Sequence, residues 1–189
     1  MRALLPERLR PVPRTTGHYR ALVVAPLAAL LLLLLLLAMA AGPTAEAQVG
    51  RSTGLPVPRF VSLAADRVNV RNGPGEQYPI QWVFVRRGVP VEIVAEHDNW
   101  RRITDHEGDR GWVYGNLLSS RRTVLVTGDV RTLRRTPRDD SRPILRAEPG
   151  VLGELFGCQG EWCRVEIAGR RGWLKRDEVW GVLPEEVFD

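Results

Sequence analysis

Lysine, histidine, cysteine and methionine are all scarce. Of 27 basic residues only Lys175 is a lysine, and the 189-residue chain holds three histidines, two cysteines and two methionines. Each shortage removes a kind of chemistry. His18 sits near the N-terminus, and His97 and His106 fall in one later block, so no H-E-x-x-H pair is available to hold a catalytic zinc. His106-Glu107 runs directly into Gly108 and reads as a surface turn. Cys158 and Cys163 share their block with no histidine, which leaves a thiolate without an imidazole to activate it. No G-x-S-x-G elbow occurs. Asp139-Asp140 lies in a polar loop, with no apolar pocket to separate two carboxylate pKa values. Catalysis therefore finds little support, and neither a cofactor nor a metal is implied.

Bulk charge also says less than the formal +5 suggests. Residues 1–47 hold five arginines and two glutamates, so the rest has 22 basic against 20 acidic residues, about +2. That is too little to predict nucleic-acid binding from electrostatics. The leader itself is informative. Arg2, Arg8, Arg10, Arg14 and Arg20 precede the apolar run from Ala21 to Ala41, and Ala45 and Ala47 stand at A-x-A spacing before Gln48. This is the layout of a secretory signal peptide. An uncleaved anchor is the rival, because residues 21–41 are long enough to span a bilayer. Either way the remainder is expected outside the cytoplasm, in the periplasm or cell envelope.

Beyond the leader, repetition organises the chain. Residues 48–59, "QVGRSTGLPVPR", are rich in Gly, Pro and small polar residues and read as a flexible linker. From Phe60 on, short alternating runs such as "VEIVAE" (91–96) and "RGWVY" (110–114) are broken by turn residues every eight to twelve positions. That spacing predicts an all-β sandwich or barrel, with no sustained helical period. "VNVRNGP" (68–74) matches "RTLRRTP" (131–137), and "RRGVPVEIV" (86–94) matches "AEPGVLGELF" (147–156) with Gly88 on Gly150. "DNWRRI" (98–103) matches "GEWCRV" (160–165), and "RGWVYGNLLS" (110–119) matches "RGWLKRDEVW" (171–180). The offset stays between 61 and 63 throughout. Two tandem domains result, 60–121 and 122–183, each near the lower size limit for an independent core. An acidic tail, 184–189, ends the sequence.

The glycine-rich stretch "NGPGEQYP" (72–79) lacks both G-x-G-x-x-G spacing and a G-K-[ST] ending, and a β-like run rather than a helix follows it. Asn72-Gly73 and Pro74-Gly75 instead suit a tight turn between the first two strands. Two units with an (N/T)-(V/L)-R opening, a central G-V-P-V-E-I-V-like strand, a W-R step and a closing G-W-(V/L) resemble the bacterial SH3-like (SH3b) domain family. Repeat one is similar to the type common in exported proteins of alphaproteobacteria; in repeat two the turn has become "RRTPRDD". The resemblance implies two small half-open β-barrels of five to seven strands. It also implies a non-catalytic envelope protein attached to peptidoglycan or to another envelope protein. The alternative is a membrane-held accessory subunit docked on a protein partner, without wall affinity. Membrane contact is expected only through residues 21–41, and only if they are uncleaved.

Candidate site residues come from the aromatics of repeat one. Tyr78, Trp82, Trp100, Trp112 and Tyr114 are more rings than one small core hides, so a groove lined by some of them, with Arg101 beside it, is expected to hold sugars or peptides. The Gly111-Trp112 and Gly172-Trp173 pairs read first as core packing. Arg pairs at 101–102, 121–122, 134–135 and 170–171 read as solvated faces, because neighbours on a strand point to opposite sides. Their expected acid partners are local ones such as Asp98, Asp105 and Glu166. "CQGEWC" (158–163) sets two cysteines across a short turn, where hairpin positions can lie opposite each other; a disulfide is expected.

Overall fold

A computed structural model describes residues 48–187. The leader, the apolar run 21–41 and the last two residues of the acidic tail lie outside the described residues. Among those described, no helix is long and apolar enough to cross a membrane.

The described chain is almost entirely strand. It opens with β1 (Gln48–Val49) and β2 (Pro56–Val57), paired antiparallel. The first barrel then comprises β3 (Arg59–Leu63), β4 (Val68–Arg71), β5 (Ile80–Phe84), β6 (Pro90–His97), β7 (Trp100–Thr104) and β8 (Arg110–Tyr114). A 3-10 turn, Gly115–Leu117, leads into β9 (Leu118–Ser119). These strands form one seven-stranded sheet in the order β5-β4-β8-β7-β6-β3-β9. The sequence explains the elements locally. In β4, Val68 and Val70 are fully buried while Asn69 and Arg71 face outward, the two-residue period of a half-buried strand. In β6 the register shifts between Ile93 and Ala95, and such a bulge bends a strand enough to curl a sheet toward closure. Leu63, Val68, Val70, Val91, Ile103 and Val113 meet in the interior.

The second barrel repeats this plan. β10 (Thr123–Val126), β11 (Arg131–Arg134), β12 (Pro143–Ala147), β13 (Leu152–Gln159), β14 (Trp162–Ile167) and β15 (Arg170–Lys175) precede a 3-10 turn, Arg176–Glu178, and β16 (Val179–Trp180). The sheet order, β12-β11-β15-β14-β13-β10-β16, is that of the first barrel strand for strand. Even the bulge recurs, between Leu155 and Gly157. Cys158 and Cys163 stand directly opposite each other in the β13–β14 register and form the expected disulfide, buried in the second core.

Gly88 and Gly150 show why the repeat keeps glycine there. Their φ angles are +78° and +82°, and each amide donates to the end of its barrel's first strand, Leu63 and Val126. The two turns also meet each other. Thr123 Oγ1 donates to the Gly88 carbonyl at 2.7 Å, and Arg86 Nη1 donates to the Gly150 carbonyl at 2.9 Å. Leu152 packs on the first core, and Phe60 meets Trp180 edge-on with centroids 5.0 Å apart.

Residues 48–59 differ from the linker expected. Residues 50–54 turn back so that the Ser52 and Thr53 amides and the Thr53 hydroxyl donate to one carboxylate, Glu96, at 3.0, 2.9 and 2.7 Å. A composition rich in Gly and Pro does not reveal this, because the docking group lies more than forty residues away. The visible part of the acidic tail is also anchored. Arg176 donates to the carbonyls of Leu183 and Glu186, and Arg122 pairs with the Glu186 carboxylate.

Candidate functional site

The outer face of the first barrel is built from β7 and β8. Their register pairs Trp100 with Tyr114 and Arg102 with Trp112, so all four side chains stand on the side away from the core. Trp100 and Tyr114 meet edge-to-face with centroids 5.4 Å apart. They line a shallow cavity of about 170 Å³ together with Asn69, Arg71, Glu76 and Leu117. The volume suits one small group, such as a sugar ring or a side chain, rather than a drug-sized ligand.

Each wall has a local cause. Asn69 and Arg71 are the outward residues of β4, alternating with the two buried valines. Arg71 is held by donating to the carbonyls of Glu76 at 3.0 Å and Tyr78 at 2.7 Å, which ties the 72–79 loop to the sheet. That loop is the turn the sequence suggested, closed by the Asn72 amide on the Pro79 carbonyl. Gly73 lets the Tyr78 ring lie against the turn, where a Cβ would come within 2.5 Å of that ring. Leu117 closes the cavity from the 3-10 turn after β8.

The six expected groove residues therefore divide. Trp100 and Tyr114 line the cavity. Trp112 shares their face two residues along, near His97 at 6.4 Å between centroids, but is not part of the cavity wall. Tyr78 is exposed and lies over Gly73. Trp82 instead packs on the first core beside Phe84, with its indole N–H buried and unpaired. Arg101 stands opposite Val113 on the core side of β7, its guanidinium donating to the Asp98 and Trp100 carbonyls. Trp112 and Trp173, read from sequence as core, belong to neither core cluster. The inward position next to each is the glycine, whose Cβ would strike Val70 in one barrel and Leu133 in the other.

Sequence reasoning missed Asn69, Arg71, Glu76 and Leu117. The alternation of "VNVR" was the available signal for the first two. Their convergence on Trp100 depends on β4 pairing β8, a register the sequence does not display. Among the expected acid partners, Glu166 does pair with Arg171 at 2.7 Å. Asp105 does not pair with an arginine: it is buried, and its Oδ1 accepts the amides of Glu107 and Asp109. The oxygens of Asp105, Glu107 and Asp109 lie within 4.8 Å of one another, the one such cluster among the described residues.

The match to a family model fits this architecture. A family model described as the bacterial SH3 domain matches residues 64–120 and again 128–181, one match per barrel. The chain belongs to that family. It is 28% identical over 128 residues, 62% of its length, to "Putative N-acetylmuramoyl-L-alanine amidase YrvJ" of Bacillus subtilis (strain 168). The match spans 24% of that protein. Among solved structures it is similar to NlpC2 and NlpC1 of Trichomonas vaginalis, each at 10% identity and a TM-score of 0.32. Those matches cover 66% and 73% of this chain and 48% and 51% of the other chains, a likeness too slight to bear on function.

Proposed function

We propose that this is a non-catalytic, exported binding protein that holds cell-wall peptidoglycan through the first barrel. The Trp100–Tyr114 pair carries the reading. Two rings at edge-to-face distance, flanked by Asn69, Arg71 and Glu76, offer an apolar face with hydrogen-bonding groups at its margin. Such a site suits an amphipathic ligand like a sugar ring or a stem-peptide side chain. The family assignment and the partial likeness to a protein named as a putative N-acetylmuramoyl-L-alanine amidase support the same ligand class.

Co-sedimentation of residues 48–189 with purified sacculi, at low and high salt, tests it. Binding is expected to persist at high salt and to fall at least tenfold in Trp100→Ala and Tyr114→Ala, with each variant's melting checked separately. No sedimentation at either salt refutes the proposal and turns attention to a protein partner.

A further inference from the structure

The duplication supplies a control within the molecule, since the register maps the walls of the first cavity onto the second barrel, Asn69 falling on Thr132. Trp100 opposite Tyr114 corresponds to Trp162 opposite Lys175. Arg71 opposite Trp112 corresponds to Arg134 opposite Trp173. Glu76, five residues after Arg71, corresponds to Asp139, and Leu117 at the end of the 3-10 turn corresponds to Glu178. Arg134 keeps its role, donating to the Ser141 carbonyl as Arg71 donates to Tyr78.

The remaining walls have changed together. Lys175 Nζ lies 5.4 Å from the centroid of Trp162, the counterpart of the Trp100 ring that Tyr114 meets in the first barrel. The same ammonium is bonded to Asp139 Oδ1 at 2.7 Å. Glu178 accepts the Lys175 amide at 2.8 Å, where the first barrel has the apolar Leu117. The Glu76 carboxylate, by contrast, forms no ion pair among the described residues. The aromatic surface of the second barrel is thus occupied by the chain's own cation, held by Asp139.

We infer that Lys175 and Asp139 close the second barrel's copy of the site, so that the protein takes one wall ligand, in the first barrel, and position 114/175 sets which barrel binds. This rests on the wall-binding reading of the first barrel. Asp139 bonding raises the Lys175 pKa, so the closure holds across the neutral range. An exposed ion pair and a cation–π contact are each modest, so opening the site costs a factor of roughly ten in affinity. Loss of the stacking tyrosine weakens it further.

The test uses residues 48–189 and soluble glycan–peptide fragments released from sacculi by lysozyme, following the indole N–H signals of Trp100 and Trp162 by NMR. In the native protein Trp100 shifts at fragment concentrations that leave Trp162 unmoved. Lys175→Tyr should make Trp162 respond and raise the stoichiometry from one to two. Asp139→Ala, which leaves the strands untouched, should bring a Trp162 response at about tenfold higher fragment concentration than Trp100. A native Trp162 that shifts together with Trp100 overturns the inference, as does a folded Lys175→Tyr protein whose Trp162 stays silent. Silence of Trp100 itself is a different result: it overturns the wall-binding reading.

Discussion

Glu96 is the residue on which the docking of residues 50–55 depends. Its side chain has no exposed surface, and its carboxylate accepts the amides of Ser52 and Thr53, the Thr53 hydroxyl and Arg59 Nη2, the last at 2.7 Å. Arg101 adds a second cation at 3.6 Å. Burial pushes the Glu96 pKa up, but the hydrogen bonds from Thr53, Arg59 and Ser52 outweigh it and bring it down to about 2. A carboxylate held below its unfolded value stabilises fully above about 4.5, and that contribution is lost as pH falls from about 4.5 toward 2. With solvent screening allowed for, the gap is worth about 2 kcal/mol. The groups that lose it are residues 50–55, so the effect should be local undocking more than global unfolding. In Glu96→Gln the charge is gone and one oxygen becomes a donor, so the Ser52 and Thr53 amides should exchange with solvent about 30-fold faster at pH 7. In the native protein the same two amide resonances should titrate with a midpoint near 2. A midpoint between 4 and 5, or unchanged exchange in Glu96→Gln, refutes the docking argument.

The second barrel offers two more outcomes to measure. Replacing Cys158 and Cys163 by serine opens a loop of separation 5, and the chain-entropy model gives a loss of roughly 2 kcal/mol; urea melts of the oxidised and variant proteins measure it, and equal midpoints contradict it. Gly150→Ala and Gly172→Ala should separate two reasons for glycine. Gly150 has a positive φ and nothing within 4 Å of an added Cβ, so its cost is backbone strain of about 1 kcal/mol. A Cβ on Gly172 would lie 2.6 Å from the Arg134 carbonyl, so its cost should reach roughly 2–3 kcal/mol by overpacking, and a smaller loss at 172 than at 150 would show that the β11–β15 contact relaxes.

The fold was legible because the repeat made it so. Four blocks at an offset of 61 to 63 established two copies, the two-residue period of "VNVR" and "VEIVAE" marked strands, and glycine and proline placed the turns. The disulfide was legible from spacing alone. The groove was legible only in part, because composition counts aromatic rings without saying which face they occupy. Trp82 and Trp100 look alike in sequence, but Trp82 faces the core across Val70, and Trp100 faces outward across Tyr114. The Gly-Trp pairs misled for a related reason: the large residue suggested the inside, whereas the glycine is the one turned inward against Val70 or Leu133. The docking of residues 50–55 was illegible, since Glu96 reaches it across more than forty residues.

Comparing the barrels separates what the fold demands from what it leaves free. Gly88 and Gly150 hold the same positive φ, Gly111 and Gly172 both lack room for a Cβ, and Arg71 and Arg134 both hold the loop that follows them. A change at any of these meets backbone, core or loop, so identity between the copies there needs no ligand to explain it. Tyr114 against Lys175 stands on the outer face, where strand alternation lets a side chain change without disturbing the core. Glu76 against Asp139 lies in the loop before β5 or β12, and Leu117, which also packs on the first core, gives way to Glu178. If these differences were neutral drift on a solvated surface, they would have no reason to complement one another. In the second barrel the new cation does meet partners: it sits on the retained tryptophan and bonds the carboxylate that both copies carry at 76/139, while Glu178 accepts the backbone amide of residue 175. A cation placed where a tryptophan and a carboxylate already stood to receive it, between two copies that keep the same frame, is the pattern that a binding site kept in one barrel and closed in the other would leave.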